Sequence, residues 1–172
     1  MKNILLILLV GFSMIGSIYG QADPINEFFE KYRNDETFTQ VNISPKMFEL
    51  LSNMDAESEM DIDTKEMIKS LKGLKILTTE TTPRKFYEEF TSKVSLSVYE
   101  ELMTVKDGDS NVSFLIKDSD GGNIVNELLL LVGGQEDFVL MRFEGKIPLD
   151  KVSKLANSLN ISGAEHLDKL EK

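Results

Sequence analysis

The chain has 172 residues, a formal net charge of −10, no cysteine and a single histidine, His166. So acidic a chain is a poor partner for nucleic acid, because neutralising phosphates takes clustered Lys and Arg. Without thiols, and with His166 alone near the C-terminus, disulfides, thiol catalysis and the usual zinc clusters are excluded.

Residues 1–20 read as a secretory signal peptide. Lys2 gives a charged start, Ile4–Val10 is an unbroken apolar run, and small and turn-prone residues lead to Gly20. The run is too short for a transmembrane anchor, and no charged stop follows it. Cleavage is expected after Gly20 or after Ala22. A lipid-bearing cysteine is excluded, so the chain is expected to be exported, periplasmic or secreted, and not a lipoprotein. Residues 21–172 then form one domain by length, with a polar tail from about residue 160.

Asp23-Pro24 opens a short amphipathic helix with Ile25, Phe28, Phe29 and Tyr32 on one face. Phe38–Ile43 alternates and is rich in β-formers, which predicts the first strand. Ser44-Pro45 starts a helix whose apolar face is Met47, Phe48, Leu50, Leu51 and Met54. The acidic residues Asp55, Glu57, Glu59, Asp61 and Asp63 recur at every second position. As a strand they would stack like charges, so this is a solvated connection. Asp63 with Glu66 makes a capping-box start for a helix that stops at Gly73, and its Lys65, Lys69 and Lys72 are its wet side. Leu74–Thr79 is the second strand. Thr82, as N-cap, and Pro83 begin a third helix, striped by Phe86, Phe90, Val94 and Val98. Its Ser-rich end is weak helix.

Glu101–Gly145 reads as a four-strand meander joined by turns at Asp107–Ser110, Asp118–Gly122 and Gly133–Glu136. Near its middle lies Leu128-Leu-Leu-Leu-Val132, apolar at every position. Leu128, Leu130 and Val132 point one way and Leu129 and Leu131 the other. One set must be core. The other must be covered by helices or must form an interaction face for a partner chain or an apolar ligand. Pro148 opens a last helix bearing Leu149, Val152, Leu155, Ala156 and Leu159. The fold class expected is α+β: an antiparallel or mixed sheet of about five or six strands, with helices mainly on one face.

No residue is assigned a catalytic, cofactor-binding or metal-binding role. Glu88-Glu89 and Glu100-Glu101 are adjacent in sequence, so their side chains diverge on regular structure. Asp107, Asp109 and Asn111 alternate as in a calcium loop, but Val112 stands where such a loop needs glycine and no Glu closes it. The leading expectation is an exported, non-enzymatic binding or interaction domain of the cell envelope, its partner an envelope protein or an apolar ligand. A carboxylate-dependent hydrolase and a structural envelope component are the alternatives.

Several phrases together resemble a known family: Lys46-Met-Phe-Glu-Leu-Leu51, Leu71-Lys-Gly-Leu-Lys-Ile-Leu-Thr-Thr-Glu80, Glu101-Leu-Met-Thr-Val-Lys-Asp-Gly-Asp109, Glu127-Leu-Leu-Leu-Leu-Val-Gly-Gly134 and Gly145-Lys-Ile-Pro-Leu-Asp-Lys-Val-Ser-Lys-Leu155. The chain is similar in these to domain-of-unknown-function family 4252, small exported proteins of Bacteroidetes. The resemblance implies an envelope location and, from relatives near extracytoplasmic sigma-factor genes, a link to envelope-stress regulation. It implies no activity and carries over no catalytic residue. Some relatives look like lipoproteins; this chain lacks the cysteine and departs there.

Overall fold

A computed structural model of the chain describes residues 23–53, 62–118 and 122–152. The expected signal peptide, residues 55–61 of the acidic connection and the tail from 160 lie outside the described residues, while Asp63, the end of that connection, falls within a helix. The elements in chain order are α1 (Pro24–Lys31), β1 (Thr39–Ile43), α2 (Pro45–Asn53), α3 (Ile62–Ser70), β2 (Leu71–Thr79), α4 (Pro83–Lys93), β3 (Glu100–Asp107), β4 (Ser110–Asp118), β5 (Ile124–Gly133) and β6 (Phe138–Pro148). All six strands form one antiparallel sheet in the order β1-β2-β6-β5-β4-β3. The α+β class and the meander β3–β6 are as expected, with β5 between β4 and β6.

The helices differ from expectation. They cover both faces of the sheet instead of mainly one. Phe48 of α2 and Met67 of α3 pack with Leu74, Phe114, Leu128, Leu130 and Met141. Ile25, Phe28 and Phe29 of α1, with Phe86 and Phe90 of α4, pack with Leu77, Leu129, Leu131, Phe138 and Leu140 on the opposite side. The cause is the run Leu128–Val132 itself. A strand that is apolar at every position has no wet side, so its sheet must be covered twice.

Local chemistry sets the remaining departures. β2 begins at Leu71, not Leu74, and α3 ends at Ser70, not at Gly73. The Ser70 hydroxyl lies 2.6 Å from the Lys146 carbonyl, which ties the helix end to β6. Pairing starts there, Leu71 opposite Gly145. Gly145 has φ +143°, and a Cβ on it would sit 2.5 Å from the Ser70 carbonyl oxygen. Only glycine lets the two backbones come so close. Thr82 is not a side-chain N-cap: it sits left-handed, at φ +49°, without a capping bond. The chain turns extended at Val94, so the stripe stops there and Val98 is 62% exposed. After Pro148, Leu149–Lys151 form a single 3-10 turn. Val152 follows, buried in the core, and the expected helix beyond it lies outside the described residues.

Candidate functional site

None of Leu128, Leu129, Leu130, Leu131 and Val132 is more than 8% exposed. The two sets do point to opposite faces, but each lies inside a core. This run therefore presents no open apolar surface, and a surface for a partner must be sought elsewhere in the fold.

The sheet does bring charged groups together that the sequence reading left apart. Arg142 is buried on the α1/α4 face. Its Nη1 donates to Asp23 Oδ2 at 2.5 Å and its Nη2 to Glu127 Oε2 at 3.1 Å, with Glu144 Oε1 3.2 Å away. Nε lies 2.8 Å from Glu127 Oε1, without the alignment of a hydrogen bond. The Tyr99 hydroxyl donates to the same Oε1 of Glu127. Burial works against the guanidinium, but Asp23 and Glu127 outweigh it and raise its pKa. Tyr99 is pushed far up, first by burial and then by the carboxylate it serves. Asp23 is pushed up by burial, yet the Asn26 N–H and Arg142 leave it lowered. Only part of the signal for this cluster is in the sequence. Phe138, Leu140 and Arg142 share one face of an otherwise apolar strand, as Leu129 and Glu127 do next to it.

A second cluster joins α1 to α4. Glu89 accepts from Lys31, from the Tyr32 hydroxyl at 2.7 Å and from Lys93 at 2.9 Å. These donors overcome the effect of burial and bring its pKa down to about 2. A shallow groove of about 240 Å³ runs beside the cluster, with Pro24, Phe28 and Val94 on its walls. A general acid at neutral pH needs a carboxyl whose pKa is raised. Asp23 and Glu89 are moved the other way, which does not suit them to that role; their contacts tie α1 to β6 and to α4.

The former calcium-loop candidates form a tight hairpin. Gly108, at φ +56°, and Asp109 connect Asp107 to Ser110, as a two-residue turn with positive φ at its first position requires. Asp109 accepts from Gln135 of the neighbouring turn. Among the described residues no three His, Asp or Glu side chains gather as metal ligands would.

The two sheet edges are unlike. β3 carries Glu100, Glu101, Lys106 and Asp107, and its register slips between Glu101 and Met103. Charges and bulges are the devices that keep an edge from pairing. β1 has neither. Its sequence is Thr39-Gln-Val-Asn-Ile43, its register with β2 is unbroken, and every residue but Ile43 is exposed. Val41 is 37% exposed, and on α2, which leaves the strand after one residue, Met47 is 48% and Leu50 50% exposed. These are three of the five exposed large apolar residues among the described ones, and they fall within ten positions. The edge is the candidate site.

The sequence from Tyr32 to Leu155 matches the family model described as "Domain of unknown function (DUF4252)". The chain belongs to this family. The DUF4252 match takes in all six strands and α2–α4, while α1, with Asp23 and the rings that close the aromatic core, precedes it. The candidate edge β1 and α2 lie inside it. No curated protein and no solved structure matches the chain.

Proposed function

We propose that the chain is an exported, non-catalytic interaction domain of the cell envelope, working through β1 and α2. One observation carries this reading: an unguarded edge strand, exposed from Thr39 to Asn42, with exposed Val41 on it and exposed Met47 and Leu50 beside it. Such an edge offers unpaired backbone N–H and C=O groups to a visiting strand, and the apolar side chains supply burial. Export rests on the leader read in residues 1–20. Among the described residues no helix is long and apolar enough to cross a membrane.

Crosslinking in the native envelope tests this. Wild type should give defined adducts that Val41→Lys loses and Val98→Lys keeps. Val98 is exposed and lies away from β1 in the chain, so it controls for added charge. An adduct pattern unchanged by Val41→Lys would refute an interaction surface at this edge.

A further inference from the structure

We infer that the partner of β1 is β1 of a second copy, paired antiparallel about a two-fold axis at Val41, so that two six-stranded sheets become one. The inference rests on β1 being the interaction surface; what it adds is the occupant.

The strand is complementary to itself. Under the two-fold, Val41 faces its own copy, Thr39 faces Ile43 and Gln40 faces Asn42. The first three positions share one face of the sheet, that of Ile76 and Leu74, and bring β-branched side chains together. Such cross-strand pairs stabilise a sheet. Gln40 and Asn42 share the other face with Leu77 and Lys75, and can exchange amide hydrogen bonds. Gln40 is already held from behind, its Nε2 donating to the Phe29 carbonyl at 3.2 Å.

Charge selects the same occupant. Two copies of a chain at −10 repel unless they meet where neither carries net charge. From Thr37 to Asn53 the only charged residues are Lys46 and Glu49, and these pair with each other at 2.8 Å. The stretch is therefore neutral. The opposite edge is not: a two-fold through the middle of β3 would set Glu101 against Lys106 but also Glu100 against Asp107 of the other copy, and acids outnumber Lys106 along that strand. Like charges directly opposite oppose pairing. On the face that carries Val41, α2 lies nearer the β1 edge than α3 does, since it packs over β2 while α3 packs over β6. The two-fold thus carries Met47 and Leu50 of both copies toward one seam. Continuation of the sheet supplies backbone hydrogen bonds, and an isologous contact closes at two copies.

The absence of native cysteine makes the test clean. Purified protein should sediment as a monomer–dimer equilibrium that moves to the dimer with concentration. Val41→Lys should remain monomeric while keeping the wild-type circular dichroism spectrum. Val41→Cys should couple to itself on oxidation or with a short bismaleimide, since facing Cβ atoms on an antiparallel pair are about 5 Å apart. Val98→Cys should not. A wild type that stays monomeric, with Val41→Cys coupling no better than Val98→Cys, overturns the inference. So does a dimer that survives Val41→Lys. If Val41→Lys loses its fold, the coupling of Val41→Cys alone decides. The two claims part where the protein is monomeric yet envelope adducts still depend on Val41: the surface then stands and the second copy does not.

Discussion

The two faces of the sheet solve one problem with different chemistry. Under α2 and α3 the sheet side is mostly aliphatic, with Leu71, Leu74, Leu128, Leu130 and Met141. Under α1 and α4 the rings interlock: Phe28 meets Phe90 edge-on at 5.2 Å, and Phe86 meets Phe38 at 4.6 Å. Beyond the rings lies the Arg142 cluster. Aliphatic packing is non-directional. Edge-to-face rings and a guanidinium shared among carboxylates fix orientation as well as distance. The aliphatic face supplies burial, and the aromatic and charged face sets how the helices sit.

The largest effect should erase the difference. Leu129→Lys and Leu130→Lys place an ammonium in one core and the other. Both positions are almost fully buried, so neither charge has water or a partner. Both variants should be unfolded by circular dichroism at room temperature. If one of them stays folded, its face is open and the two-core description fails at that side.

The next effect should separate the faces. Arg142→Leu leaves Glu127 and its neighbours without their cation, and should cost about 3–5 kcal/mol. Met141→Leu, one residue away on the aliphatic face, keeps volume and polarity and should cost less than about 1.5 kcal/mol. Urea unfolding of both variants makes the comparison. Equal midpoints would mean that the cluster does not specify the fold.

Much of this division was legible in the residues. The runs Leu128–Val132 and Phe138–Phe143 show buried strands because alternation is missing, and the short Gly- and Asp-rich connections show a meander. Those runs also imply two covered faces, one of the two outcomes open to the central strand, and at odds with helices placed mainly on one face. Periodicity gives Phe86 and Phe90 correctly but carries on to Val98, because spacing cannot see where a helix lets go. The clusters were harder to find. Arg142, Glu127 and Asp23 are far apart in sequence, and only the register of β5 with β6 and the docking of α1 bring them together. The open edge was hidden for a similar reason. Thr39–Ile43 announces a strand, but nothing local says that it ends up outermost.

The smallest effect, from Glu89, should give the ring-bearing face a pH dependence of its own. Burial raises the pKa of this carboxyl, and the donors Lys31, Tyr32 and Lys93 more than reverse that, to about 2 against an ordinary 4.5. The folded state therefore binds fewer protons than the unfolded one as pH falls through this range. The stabilisation is fully present above about pH 4.5 and is lost progressively between there and about pH 2. Lys31 and Lys93 are largely in solvent, which screens their share. Glu89→Gln should accordingly cost only about 1–2 kcal/mol at pH 7. The gap between its melting temperature and that of wild type should be constant from pH 7 to 5 and should shrink below pH 4.5. Met67→Leu, in the aliphatic core, should show a gap that does not change with pH over the same range. A Glu89→Gln gap that stayed constant down to pH 3 would mean that the carboxylate contributes through packing and not through its charge. The link between α1 and α4 would then rest on the rings alone.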